Sequence, residues 1–223
     1  LQPGLGKQRG IPLGAGAQIR LAGLLNKGGI AVARQHFADH LAARLCAHAG
    51  AGVHQQRAAV GCWHTVLHAD KALVLQQLIQ LYPNDNAVVA MDSGNNSSGR
   101  LGSLLPAGPN AGLLQLVNSQ GVPQEAVSIC RIASVRITSA SYNNAITYLP
   151  VPVPPPTGCD ADCEAAIRSY LPVGTTGVAI NAGGQTVANG SIIRNEFGMV
   201  VVVGPNSSDP AFVSTCKAEI INQ

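Results

Sequence analysis

The stretch AVSICRIASVRIT at residues 126–138 decides the fold class of the C-terminal part of the chain. Apolar and polar residues alternate along it, and a period of two is typical of a β-strand with one buried side. The apolar positions are Val127, Ile129, Ala133, Val135 and Ile137. The alternation therefore predicts one long strand, or two successive strands, over this stretch.

Further strand signals lie on both sides of this stretch. Residues 87–91 (AVVAM) form a short apolar run bounded by turn residues, and residues 198–203 (GMVVVV) have the composition of a buried central strand. In VAINAGGQTVA, residues 178–188, the paired glycines predict a tight hairpin, because both central residues of a type I′ turn need positive φ. We also predict a short helix over residues 160–170 and a last helix that begins at Ser208-Asp209-Pro210 and carries Phe212, Cys216 and Ile220. No internal repeat of fixed period is recognisable.

The composition of the chain changes near residue 83. Residues 1–82 hold eight Lys or Arg and two Asp or Glu, whereas residues 83–223 hold six and nine. All six histidines lie between His36 and His68. We therefore place a domain boundary at the Pro83-Asn84-Asp85 turn. The overall net charge of +3 is too small to indicate a nucleic-acid partner.

The N-terminal part is predicted to be helical. Residues 1–16 are rich in Gly and Pro, so we expect a flexible arm on a processed or truncated chain. Residues 17–82 are predicted to form a helical hairpin, with one helix over 30–49 and another over 58–82 that ends at Pro83. The expected fold class is thus α+β, a helical hairpin followed by a mainly antiparallel β-rich domain over 83–223. A Pro-rich connector at 150–156 interrupts that domain.

Four histidines of the predicted hairpin form a candidate transition-metal site. His36 and His40 are one helical turn apart, as are His64 and His68. If the two helices are antiparallel, the four imidazoles converge, which is how helical bundles build sites for Zn, Cu, Ni, Fe or haem. The alternative is that these histidines are solvated and reflect the unusual composition of the segment, in which case no cofactor is expected.

Six cysteines and several N-x-S sequences favour an oxidising compartment. The cysteines are Cys46, Cys62, Cys130, Cys159, Cys163 and Cys216. A bridge from Cys159 or Cys163 to Cys216 would tie the C-terminal segment to the β-rich domain. Secretion is therefore predicted, with six unpaired thiols as the alternative.

Motifs for catalysis are nearly absent. The sequence VVAMDSG at residues 88–94 has the apolar run and Asp-Ser-Gly of aspartic proteases, but it occurs once, so Asp92 would need a second copy of the chain as its partner. No G-x-S-x-G elbow and no phosphate-binding P-loop occurs. Aromatic residues make up only 4% of the chain, too few for a single-strand nucleic-acid surface, and no apolar run is long enough for a membrane-spanning helix.

These observations lead to three hypotheses for the function. The first is a non-enzymatic, self-associating structural subunit outside the cytoplasm, such as a filament, appendage or virion component. Only 11% of the residues in the chain are charged, and a surface of low charge resists association weakly. The second is a metal- or haem-binding module that uses the four histidines. The third is a dimeric hydrolase that uses Asp92.

Overall fold

A computed structural model describes residues 54–108 and 110–223, with the side chains of 54–66, 159 and 160 left out. The two helices are α1 (His54–Leu81) and α2 (Cys159–Tyr170). The strands are β1 (Asn86–Met91), β2 (Asn96–Leu105), β3 (Leu113–Val117), β4 (Pro123–Ser128), β5 (Ile132–Thr138), β6 (Val178–Ala182), β7 (Gln185–Glu196), β8 (Met199–Val203), β9 (Ala211–Ser214) and β10 (Ile220–Asn222). Short 3-10 turns lie at Ile129–Arg131, Pro205–Ser207 and Thr215–Lys217.

In the part of the chain that is described, the strands form one antiparallel sheet in the order β10-β6-β7-β8-β9-β5-β1-β2-β3-β4. Strand β8, predicted as a buried central strand, is buried at every position. Its alternate residues enter two different hydrophobic cores. Val201 lies in the core that contains residues of α1, and Val202 lies in the core that contains residues of β6. The centre of the sheet is therefore covered on both faces, which explains why β8 is a continuous run of valines rather than an alternating sequence.

The helix α1 packs on this sheet, and the predicted fold class is therefore wrong. Val74, Leu75 and Leu78 on its last turns are buried in the same core as β1, β2 and β3. Because the sheet supplies the apolar surface that α1 needs, a second helix is not required to cover it, and the helical hairpin over 17–82 has no support. The first helix of that hairpin, over 30–49, and the arm over 1–16 lie outside the described residues.

The last helix predicted from Ser208-Asp209-Pro210 is also wrong. Residues after Pro210 form β9, which pairs with β5 on one side and with β8 on the other. All four residues of β9 are buried, so this segment fills a central position of the sheet. The capping signal at Ser208 and Pro210 was overridden because strand pairing on both edges and burial on both faces outweigh a local helix preference.

The sheet contains two copies of one topology, which we call repeat 1 and repeat 2. Repeat 1 comprises α1 and β1–β5, and repeat 2 comprises α2 and β6–β10. In each repeat a helix precedes four strands in a meander, a 3-10 turn follows the fourth strand, and the fifth strand returns to pair with the first. Each helix contacts the 3-10 turn of its own repeat. The sequence predicted no repeat of fixed period, and this structural repeat has none, because its offset differs between the first two strands and the last three.

One sequence motif recurs at the same place in both repeats. VSICR at 127–131 and VSTCK at 213–217 each span the end of the fourth strand and the 3-10 turn. The backbone agrees as well, since Ser128 has φ −70° and ψ 122° and Ser214 has φ −71° and ψ 119°. Each repeat thus turns its Cys-Arg or Cys-Lys pair out of the sheet by the same local conformation.

Strand register repeats with an offset of 91 residues in the first two strands, as from Ala87 to Val178, and of 86 residues in the last three, as from Val127 to Val213. The pairing of β3 with β4 places Leu113 opposite Ser128, and the pairing of β8 with β9 places Met199 opposite Ser214. The backbone hydrogen bonds match too: the amide of Ile129 donates to the carbonyl of Gly112 at 3.0 Å, and that of Thr215 to Gly198 at 3.1 Å. The duplication is therefore preserved in hydrogen bonding even where side chains differ.

Candidate functional site

The two repeats meet where the turn after β1 faces the turn after β6. A Cβ on Gly183 would lie only 2.4 Å from the amide nitrogen of Gly94, so backbone touches backbone with no room for a side chain. Beside this contact, the side-chain amides of Asn96 and Gln185 form two hydrogen bonds. Asn96 Nδ2 donates to Gln185 Oε1 at 2.7 Å, and Gln185 Nε2 donates to Asn96 Oδ1 at 3.0 Å. We call this region the repeat junction. The predicted Gly183-Gly184 hairpin is confirmed, with φ of 59° and 73°.

A single carboxylate at the repeat junction binds the basic residue of both 3-10 turns. Arg131 Nε of repeat 1 lies 2.9 Å from Asp92 Oδ1, and Lys217 Nζ of repeat 2 lies 2.8 Å from Asp92 Oδ2. The side chain of Asp92 is only 13% exposed, and its pair with Lys217 is better shielded from water than its pair with Arg131, which is 58% exposed. The equivalents Arg131 and Lys217 thus converge on one residue, and Asp92 connects the repeats electrostatically.

A buried lysine lies close to this ion-pair cluster. Lys71 of α1 donates a hydrogen bond from Nζ to the carbonyl oxygen of Ile132 at 3.0 Å. Burial lowers the pKa of Lys71 to about 8, and the neighbouring charge of Lys217 acts in the same direction. The thiols of Cys216 and Cys130 and the carboxylate of Asp92 oppose the shift. No local sequence pattern marks Lys71, because only the tertiary structure shows that this position of α1 faces the sheet.

A second buried ionisable group, Asp70, directly precedes Lys71 in the chain. Burial raises the pKa of Asp70 to about 7, and the nearby Glu196 and Glu164 act in the same direction. The Oδ1 atom of Asp70 accepts a hydrogen bond from the amide of Leu149 at 2.9 Å, which opposes the shift, as does Lys71. Because the unfolded value is 3.8, the folded chain holds a proton at Asp70 more tightly than the unfolded chain does.

Replacing Asp70 with asparagine is therefore expected to change how stability depends on pH. A raised carboxyl pKa stabilises the fold below about 3.8, and this contribution is lost as the pH rises to about 7. The Asp70→Asn variant should gain stability relative to the wild type as the pH is raised through this window. Urea unfolding of both proteins from about pH 4 to about pH 8 measures the difference in stability. Burial lowers the pKa of His68, which has the opposite effect on the pH dependence, but His68 is present in both proteins and its effect cancels in the difference.

The exposed Asp162→Asn variant is the matched control, because it removes a carboxylate from α2 without a burial effect. A difference between wild type and Asp70→Asn that stays constant with pH would contradict the raised pKa.

The histidine cluster is described only at one member. His36 and His40 lie outside the described residues, and of His64 only the backbone within α1 is described. His68 is half-buried near Lys71, and burial lowers its pKa. Among the residues that can be described, no three His, Cys, Asp or Glu side chains are placed to hold a metal ion. The four-histidine site remains a prediction.

The cysteines with described side chains form no disulfide among themselves. They are Cys130, Cys163 and Cys216, all exposed. The helix α2 contacts the 3-10 turn that carries Cys216, so the two segments of the predicted bridge are neighbours. The bridge itself and the secreted location stay predictions.

The surroundings of Asp92 differ from those of an aspartic-protease dyad. Such a dyad places a second carboxylate beside the first so that they share a proton. Within the described structure, the oxygens of Asp92 face Arg131 and Lys217 instead.

A shallow groove of about 150 Å³ adjoins the repeat junction between β1, β5 and β7. Its volume is below that of a usual small-molecule site. None of the described helices is long and apolar enough to cross a membrane.

The strands at the two ends of the sheet each leave one edge without a partner strand among the described residues. These strands are β4 and β10. Apolar side chains are exposed beside both, with Val122 (52% exposed) preceding β4 and Ile220 (56% exposed) in β10. Tyr170 is also exposed near β10, where its carbonyl oxygen accepts a hydrogen bond from the side chain of Gln223. Such edges are suited to pair with another chain.

Comparison of the chain with protein-family models, with curated proteins and with solved structures gives no match.

Proposed function

We propose that this protein is a non-enzymatic structural subunit that assembles with copies of itself outside the cytoplasm, as part of a filament, an appendage or a virion. The observation that carries the proposal is the pair of sheet edges, β4 and β10, that have no partner strand within residues 54–108 and 110–223. A strand edge presents unpaired N–H and C=O groups, and pairing them with a second chain satisfies both partners.

The low charge of the chain supports the same proposal. Only 11% of the residues are charged, so like-charge repulsion between copies is weak. Natural sheets protect exposed edges with lysines or with inward-pointing charges. The strand β10 has neither, since it consists of Ile220, Ile221 and Asn222, although its length of three residues itself limits pairing. An uncharged edge with an exposed isoleucine supports the proposal that a partner covers it.

Native mass spectrometry of the full chain, compared with its denatured mass, tests the proposal. We expect species at whole multiples of the 22.8 kDa chain, increasing in size or abundance with protein concentration. A chain that stays monomeric at every concentration would overturn the proposal. A monomer that carries a stoichiometric metal or haem would favour the histidine-based binding module instead.

A further inference from the structure

The internal contact between the repeats shows one way in which two such units pair. Strand β9, the fourth strand of repeat 2, pairs antiparallel with β5, the fifth strand of repeat 1. The register places Ser134 opposite Val213, Val135 opposite Phe212, and Arg136 opposite Ala211. A fourth-to-fifth strand pairing therefore joins the two repeats within one chain.

The strands equivalent to this pair are the two that lie at the ends of the sheet. The fourth strand of repeat 1 is β4, and the fifth strand of repeat 2 is β10. We propose that β4 of one copy pairs antiparallel with β10 of a second copy, in the register of the internal contact. This inference rests on the proposed function and names the surface by which the copies join.

The offset of 86 residues from β4 to β9 and from β5 to β10 fixes the expected register. When each residue of the β5–β9 pairs is replaced by its equivalent, Val127 lies opposite Ile220, Ala126 opposite Ile221, and Glu125 opposite Asn222 of the second copy. These three positions of β10 are the whole strand, and the three positions of β4 lie within that strand. The strand lengths therefore match the proposed pairing without any extension.

The side chains at these positions are compatible with one another. Ile220, 56% exposed in the single chain, would lie opposite the half-buried Val127, and cross-strand pairs of β-branched residues stabilise a sheet. Glu125 would face the neutral Asn222, so the register brings no like charges together. The pairing thus buries an exposed apolar residue without burying an unpaired charge.

The proposed contact joins two different surfaces, so each copy offers one β4 edge and one β10 edge, neither paired with another strand among the described residues. A head-to-tail contact of this type continues from copy to copy until a ring closes or a filament grows. An isologous contact, β4 with β4 or β10 with β10, would stop at a dimer. The two arrangements are distinguishable by cross-linking.

Disulfide trapping between two single variants of the full chain tests the register. Glu125→Cys and Asn222→Cys alter exposed residues that the proposal places directly opposite each other, at a Cα separation that permits a disulfide. We expect mild oxidation to produce an inter-chain cross-link in the mixture beyond that of either variant alone or of the wild type. The matched control is Ala126→Cys mixed with Asn222→Cys, because Ala126 is the exposed neighbour of Glu125 in the regular part of β4 and faces the other side of the sheet.

The outcomes separate this inference from the proposed function. Oligomers without the specific cross-link would overturn the β4–β10 contact and leave self-assembly standing. A cross-link within the Glu125→Cys sample alone would overturn the contact in favour of an isologous one. A chain that is monomeric by native mass spectrometry would overturn both proposals.

A charge substitution gives a second test that does not depend on oxidation. Ile220→Lys places a charge on the β10 edge at a residue that is already exposed, so the single chain should fold and its oligomers should be lost. Val153→Lys is the control, since Val153 is 95% exposed in the Pro-rich connector and outside both edges. Oligomers that survive Ile220→Lys as they survive Val153→Lys would contradict the contact.

Discussion

Replacement of Gly183 with alanine is expected to lower the free energy of unfolding by about 4 kcal/mol, because two costs combine at this position. Gly183 has φ 59°, a left-handed conformation that is unfavourable for a residue with a Cβ. In addition, the new Cβ would lie 2.4 Å from the amide nitrogen of Gly94 and 2.8 Å from the carbonyl oxygen of Asp92, and backbone atoms cannot move aside as a side chain would.

Gly184 provides the matched control for this experiment. It follows Gly183 in the same turn and also has positive φ, but its Cβ would meet nothing within 4 Å. Gly184→Ala should therefore cost only the conformational term, about 1 kcal/mol. Urea unfolding followed by circular dichroism, at one protein concentration, compares the variants. Equal losses for both would mean that the two turns do not pack against each other as described.

The substitution Asp92→Ala is expected to cost about 2 kcal/mol, because it leaves the buried Lys71 and the half-buried Lys217 without their carboxylate, whereas the largely exposed Arg131 adds little. Arg131 and Lys217 each lose an ion pair of less than 3 Å, and the buried Lys71 loses a favourable neighbour. The cost should shrink above about pH 8. Lys71, whose pKa is lowered to about 8, then becomes neutral in the folded chain, and the repulsion among the three cations falls.

Glu219→Ala is the control for the change of charge. Glu219 is an exposed carboxylate two residues from Lys217, so its removal should change stability by less than about 1 kcal/mol. Unfolding in urea at about pH 6 and about pH 9 provides the comparison. If Asp92→Ala were as mild as Glu219→Ala at both pH values, Asp92 would not connect the repeats.

Most of the strands and helices could be predicted from local sequence patterns. Residues 87–91, 178–188 and 198–203 contain the strands and the hairpin expected there, and a helix ends just before Pro83. The long alternating stretch 126–138 is divided by the 3-10 turn at Ile129–Arg131, in agreement with the option of two strands. These predictions succeeded because apolar periodicity and glycine or proline positions act within a few residues.

Such local patterns predict little of the candidate site. Asp92 was noted for its Asp-Ser-Gly context, but its partners Arg131 and Lys217 are 39 and 125 residues away in the chain. The VSICR and VSTCK motifs are a signal that was present and overlooked. Five residues are too few to indicate a repeat when the intervening strands share a hydrogen-bonding pattern and burial rather than residue identity.

The sequence by itself determined the strands within 87–91, 126–138, 178–188 and 198–203 and the end of α1, since those choices depend on the backbone preferences and the apolar periodicity of short segments. It did not determine β2, β3, β9 or β10. Tertiary structure decided what each element covers. It turned the segment after Pro210 into a central strand, it placed α1 on the sheet rather than on another helix, and it brought Asp92 between the two repeats. These outcomes depend on contacts between distant segments, and burial and ion pairing across such contacts outweigh the local preference of any single segment.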